Sequence, residues 1–154
     1  MRVFIENEAG SRRKNTYDER TFRCLSTVEV SAAYPFPYGF VPGTLGGDGD
    51  AVDCFVVTAR RVPAGQALEC DPVALLEQVE DGDVDHKLLA VPAGEPALVD
   101  EAAVAALRHF AANVFAHVPG KRMTIGRLLD RAAAEAYLRE ARERHADGAG
   151  GGTE

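Results

Sequence analysis

Asp48-Gly49-Asp50-Ala51-Val52-Asp53 places three carboxylates within six residues, directly ahead of an apolar run. Residues two apart in an extended chain point to the same side, so Asp48 and Asp50 can face one site, and a turn brings Asp53 to it. Such a cluster repels itself unless water screens it on an exposed loop or a hard, oxygen-preferring cation such as Mg²⁺ or Mn²⁺ neutralises it. A second cluster, Glu80-Asp81-Gly82-Asp83-Val84-Asp85, holds four carboxylates and likewise precedes an apolar run, Lys87 to Val91. Two acidic turns at equivalent places predict one shared rim; solvated acidic hairpin loops in an acidic protein are the plainer alternative. A calcium EF-hand is excluded: counting from Asp81, the sixth position is His86 rather than Gly and the twelfth is Pro92 rather than Glu.

The stretch Tyr34-Pro35-Phe36-Pro37-Tyr38-Gly39-Phe40-Val41-Pro42-Gly43-Thr44-Leu45 leads into the first cluster. Its prolines and glycines predict a rigid, irregular wall beside a metal site, with Tyr38 presenting a phenol. Cys24, Cys54 and Cys70 are odd in number and far apart, which argues against a disulfide framework or a zinc site and for buried free thiols. His86, His109, His117 and His145 are scattered and lack the helical zinc spacing.

The elements that must position these groups fall into two halves. Up to about residue 92 the chain is short runs broken by Gly, Pro and acidic turns; afterwards it is alanine-rich with helical period. Strands are expected at Val3 to Glu6, Thr21 to Leu25, Val52 to Thr58, Ala67 to Cys70, Val73 to Leu76 and Lys87 to Val91. Asp100 is a plausible N-cap for a helix running to about His117, with Val104, Leu107, Ala111 and Val114 on one face. Thr124 is expected to cap a second helix with Ile125, Leu128, Leu129, Ala132 and Ala136 as its stripe. Two C-terminal helices would then pack on a mostly antiparallel β body, an α+β arrangement in a single domain over 1–145. The glycine-rich tail from Ala146 to Glu154 has nothing to bury and is expected to be disordered.

The chain has 154 residues, with 17 Lys+Arg against 24 Asp+Glu and a net charge of -7. That sign excludes diffuse attraction to nucleic acid or anionic lipid, so an anionic partner needs local positive charge or bound metal. No run approaches the roughly 18 apolar residues of a membrane span, and Met1 to Glu6 lack a secretory pattern, giving a cytoplasmic expectation.

Tyr34-Pro-x-Pro-Tyr38-Gly-Phe-Val-Pro-Gly-Thr-Leu45 followed by Asp48-Gly-Asp50-x-x-Asp53 resembles the signature of the soluble family I inorganic pyrophosphatases, Y-P-x-N-Y-G-[FY]-I-P-x-T-L then D-G-D-P-x-D. The order continues with Ile5-Glu6, Gly10-Ser11-Arg12-Arg13-Lys14 and Tyr17-Asp18-Glu19 upstream and Asp85-His86-Lys87-Leu88-Leu89-Ala90-Val91-Pro92 downstream. The resemblance implies an OB-like five-stranded β-barrel with two C-terminal helices, a homo-oligomer that is commonly hexameric in bacteria, and Mg²⁺-dependent hydrolysis of pyrophosphate by a metal-activated water. It places Asp48, Asp50, Asp53 and Asp85 on metal-binding carboxylates, with Glu80 or Asp81 on another, depending on a one-residue gap. It makes Asp50 the general base, Glu6 an active-site carboxylate, Tyr38 a site tyrosine, and Lys14 and Lys87 phosphate-binding lysines.

Several family positions are changed. The arginine expected eight residues before Tyr34 is Ser26 and the Asp before it is Leu25; Asn15-Thr16 replace Tyr-Glu after Lys14; a Tyr-Lys pair aligns with Val114-Phe115. Ala51 and Pro37 replace the proline and asparagine of the signature, and Asp71-Pro72-Val73-Ala74 stands where Arg-Pro-Val-Gly is usual. The metal carboxylates survive while a phosphate clamp of Arg, Lys and Tyr is lost. Arg12, Arg13, Arg20, Arg23, Arg60, Arg61, Lys121 and Arg122 are the available substitutes. Three readings follow: a pyrophosphatase with a rebuilt clamp, a diverged phosphohydrolase or other metal enzyme acting on an organic phosphate, and a noncatalytic metal or phosphate-binding relic.

Overall fold

The computed structural model describes residues 1–97 and 99–151. Nine strands and two helices follow in the order β1 (Arg2–Asn7), β2 (Arg13–Tyr17), β3 (Cys24–Glu29), β4 (Tyr38–Val41), β5 (Val52–Val56), β6 (Ala67–Glu80), β7 (Asp83–Val84), β8 (Lys87–Pro92), α1 (Glu101–Asn113), β9 (Met123–Leu129) and α2 (Arg131–Gly151) among the described residues. β1, β4, β5, β8 and β6 pair in sequence, and β6 returns to β1 through Arg2↔Glu69, Val3↔Leu68 and Phe4↔Ala67, closing a ring of five strands. β5 and β8 run parallel, Asp53 opposite Lys87, and the other ring pairs are antiparallel. The α+β class and the five-stranded OB-like body expected from the sequence are thus present.

β8 is buried at every residue and β5 at all but Asp53, because side chains alternate between two cores. Cys54, Val56, Leu88 and Ala90 pack with Val3, Ile5 and the α2 residues Ala134, Leu138 and Ala141. Phe55 and Leu89 point the other way, to Tyr34, Tyr38 and the α1 residues Leu107 and Phe110. Gly39 permits the β1–β4 approach, since a Cβ there would lie 1.7 Å from the Phe4 carbonyl oxygen.

Several elements differ from the sequence-based expectation. Ala67 to Glu80 is one long strand, whose pairing with β8 is irregular between Pro72 and Ala74, where a proline costs no ladder bond. Tyr38–Val41, expected inside an irregular wall, forms β4. Asp18 to Phe22 is a turn, with Asp18 Oδ1 accepting the Arg20 and Thr21 amides at 2.9 and 2.7 Å, so the strand expected at Thr21 starts at Cys24. Cys24 is exposed, whereas Cys54 and Cys70 are buried free thiols.

The largest correction is at Thr124. Met123–Leu129 is β9, paired antiparallel to β6 from Glu80↔Met123 to Leu75↔Leu129. β-branched Thr124 and Ile125 with Gly126 favour this edge pairing over a helix, and Arg127 ties it to Glu77 at 2.8 Å. The helix begins after Asp130, whose carboxylate accepts the Ala133 amide at 3.0 Å. α1 does start from Asp100, which accepts the Ala103 amide at 2.8 Å, but ends at Asn113. α2 continues to Gly151, so residues 146–151, expected to be disordered, are helical: once Ala134, Leu138 and Ala141 anchor the helix, each added residue gains a bond without a new nucleus. Residues 152–154 lie outside the described residues.

Candidate active site

Both acidic turns are held by the same helix. Leu45 at the start of the first donates its amide to Ala141 O at 3.0 Å and accepts Arg144 Nε at 2.9 Å. Tyr137 of α2 packs against His86, which follows the second turn, with ring centroids 5.4 Å apart and planes tilted by 55°. The turns also meet directly: a Cβ on Gly47 would lie 3.1 Å from Val84 Cβ, so a side chain there would push them apart. Within the first turn, Thr44 Oγ1 donates to Val41 O at 2.6 Å and accepts the Val52 amide at 2.9 Å, and Asp48 Oδ1 accepts the Asp50 amide at 3.1 Å. The second is a two-residue hairpin in which Asp81 and Gly82 both take positive φ, 50° and 89°, as a type I′ turn requires.

This scaffold brings Asp48, Asp53 and Asp85 together, one carboxylate oxygen of each lying within 4.8 Å of the others. Lys87, 8% exposed at its side chain, reaches the same group, 2.5 Å from Asp53 Oδ2 and 3.0 Å from Asp85 Oδ2, and also donates to the Tyr38 hydroxyl at 3.1 Å. Burial opposes the lysine's charge, but Asp53 and then Asp85 outweigh it and its pKa is raised. Burial, reinforced by Asp53 against the pull of Lys87, raises Asp85; burial also raises Asp48 and keeps the Tyr38 phenol protonated. Three carboxylates facing one ammonium leave excess negative charge. An all-oxygen donor set of this kind suits a hard divalent cation.

The cluster opens into a cavity of about 750 Å³ that Glu6, Lys14, Asp48, Asp50, Asp53 and Lys87 help to line. Glu6 Oε2 accepts the Tyr17 amide at 3.0 Å, and its backbone oxygen accepts Asn15 Nδ2 at 2.9 Å, which seats the β2–β3 hairpin on β1. Burial, partly offset by the Tyr17 bond, pushes the Glu6 carboxyl up to about 7.

All ten residues singled out in the sequence line this cavity, but they are not equivalent. Asp50 is exposed and stands outside the three-carboxylate group, as do Glu80 and Asp81. Glu80 pairs with Lys121 at 2.6 Å and is half-buried beside Asp85, whereas Asp81 accepts the Arg122 amide at 2.9 Å and is exposed. Glu19, Gln78, Phe115 and Lys121 also line the cavity. Glu19 accepts the Ala51 amide at 2.9 Å from the hairpin side, and no motif spacing links these distant positions. Gln78 is 2% exposed and its Nε2 finds no acceptor among the described residues, so an oxygen in the cavity would satisfy it.

The chain is similar to proteins of one kind. A family model described as inorganic pyrophosphatase matches residues 3–146. An inorganic pyrophosphatase of Aeropyrum pernix is 31% identical over 159 aligned positions, covering 94% of this chain and 89% of the relative. One from Synechocystis is 37% identical over 99, covering 62% of this chain and only 58% of that protein's length. The crystal structure of inorganic pyrophosphatase from Thermus thermophilus superposes with a TM-score of 0.86 at 27% identity, covering 95% of this chain and 91% of that one. With that model matching residues 3–146 and a relative 31% identical over nearly the whole chain, the chain belongs to the inorganic pyrophosphatase family.

Proposed function

We propose that the protein hydrolyses inorganic pyrophosphate to two phosphates in a Mg²⁺-dependent reaction, with Mn²⁺ as a second usable metal. The observation that carries this reading is the convergence of Asp48, Asp53 and Asp85 beside Lys87 on the cavity wall. Divalent cations held there, with Glu80 favoured over Asp81 as a further ligand by its place beside Asp85, supply charge neutralisation and Lewis acidity toward a polyanion that repels nucleophiles. Asp50, exposed at the cavity and tethered through its amide to Asp48, takes the proton of the attacking water. Tyr38 and Lys87 form a fixed donor pair behind the carboxylates, and Lys14 meets substrate oxygen from β2. Glu6, largely desolvated, holds or releases a proton near neutral pH. The protein acts as one domain, cytoplasmic and homo-oligomeric, a hexamer if it follows bacterial members of its family.

A second reading is favoured by one observation: Leu25, Phe115 and Met123 give the cavity an apolar wall. An organic phosphate would lay its uncharged part there. Phosphate release from pyrophosphate is compared with release from a panel of phosphorylated metabolites, each with Mg²⁺, with Mn²⁺ and with chelator. Metal-dependent release fastest from pyrophosphate, falling by about 10²- to 10⁴-fold in Asp50→Asn, is the expected result. Faster turnover of an organic phosphate moves the assignment to the second reading. Equal activity in Asp50→Asn contradicts the base, and metal binding without turnover of any compound leaves only a binding module.

A further inference from the structure

Phe115 on the cavity wall carries two ammonium groups, Lys14 Nζ at 5.1 Å and Lys121 Nζ at 4.7 Å from its ring centroid. Lys121 Nζ also lies 2.6 Å from Glu80 Oε1 and 3.7 Å from Asp81 Oδ2. We propose that Lys121 is a substrate-binding residue which, with Lys14, holds one phosphoryl group, and that it is released for this task when a divalent cation takes Glu80 from it. The inference rests on the pyrophosphatase reading.

Lys87 is the wrong lysine for the task, because its ammonium is buried and already engaged by Asp53, Asp85 and Tyr38. The end of α1 offers no cation either: it presents Val114 and Phe115 to the cavity. Lys121 arrives from a different element. The turn at Pro119-Gly120, with Gly120 at φ 79°, aims the chain into β9. Its backbone is then fixed by the Asp81 amide on Arg122 O at 2.9 Å, by the Arg122 amide on Asp81 Oδ1 at 2.9 Å, and by Met123 opposite Glu80.

The anchor is thus rigid while the side chain keeps freedom to exchange. With 27% of the Lys121 side chain exposed, its pairing with Glu80 is a solvated one that a divalent cation displaces at little cost. The freed ammonium stays beside Phe115, where two cations gathered at one ring suit a phosphoryl group. In the metal-free protein the same lysine neutralises Glu80, so one residue serves both states.

Calorimetric titration tests this through two affinities that move in opposite directions. Lys121→Ala is titrated with Mg²⁺ alone, then with imidodiphosphate, a nonhydrolysable P–N–P analogue, at saturating Mg²⁺. Loss of the competing ammonium is expected to leave Mg²⁺ affinity equal or a few-fold tighter, while analogue affinity weakens roughly 10- to 100-fold; Lys121→Arg restores most of it. Arg122→Ala, altering the neighbouring exposed cation, leaves both unchanged. Unchanged analogue affinity in Lys121→Ala, or a loss in Arg20→Ala with none in Lys121→Ala, overturns the proposal, as does Mg²⁺ binding that falls in parallel with the analogue. These titrations read binding alone, so a wild type that binds the analogue but releases no phosphate from pyrophosphate counts against the proposed function and not against Lys121.

Discussion

Lys87 and Lys121 each face two carboxylates, yet the two pairings do different work. Lys87 is 8% exposed and bonded to Asp53 and Asp85 in the wall of the ring; Lys121 is 27% exposed and pairs with Glu80 and Asp81 at the cavity edge. Burial sets the difference. A desolvated cation among desolvated carboxylates has no alternative partner, so it becomes part of the framework. A solvated one trades partners with water, metal or substrate at small cost. The same residue type thus stiffens one end of the site and stays available at the other.

The widest separation between the two is expected in stability. Lys87→Met leaves buried Asp85 and half-buried Asp53 without a counter-ion and should destabilise the metal-free protein by about 3–5 kcal/mol, read from chemical denaturation in chelator. Lys121→Ala under the same conditions should cost less than about 1 kcal/mol. Mg²⁺ should recover part of the Lys87→Met loss, because it supplies the missing positive charge. Similar losses in the two variants would erase the distinction.

Glu6 sharpens the comparison with a smaller effect of opposite sign. Its folded pKa of about 7 lies above the usual 4.5, so the folded protein holds the proton more tightly than the unfolded chain does. Its contribution to stability is therefore greatest below pH 4.5, declines as pH rises to about 7, and stays lower beyond. Glu6→Gln keeps an acceptor for the Tyr17 amide and removes that charge. At pH 8 it should stabilise the metal-free protein by up to about 3 kcal/mol and flatten this part of the stability profile, while lowering turnover. A variant with unchanged pH dependence would show that Glu6 is ionised without strain.

The two ends of the site were unequally legible in the sequence. Asp48, Asp53, Asp85 and Lys87 sit in short contiguous motifs: Asp53 on β5 lies opposite Lys87 on β8, and Asp48 and Asp85 lie in the turns just ahead of those strands, whereas the strand period pairs Asp48 with Asp50. The Asp100 cap was also readable, whereas the closed ring followed from the family resemblance, the residue pattern giving only a mostly antiparallel β body. Lys121 and Phe115 could be named only as substitutes or losses, because their nearness to Lys14 depends on β9, and β9 was read as a helix. Ile125, Leu128 and Leu129 satisfy a helical stripe as well as a strand, and long-range pairing with β6 decided between them. Asp71 and Pro72, which fall between two expected strands, lie within one long strand whose pairing is irregular just after Pro72. Local patterns located the metal-type carboxylates; tertiary pairing assembled the cationic end.

The central claim is that Asp48, Asp53 and Asp85 share one divalent cation. Calorimetric titration of the metal-free protein with Mn²⁺, wild type against Asp53→Asn and Asp85→Asn, tests it most directly. One tight site in wild type, weakened by roughly 10-fold or more in both variants, is the predicted result. Equal affinity in all three proteins would contradict it and remove the basis of the hydrolase assignment.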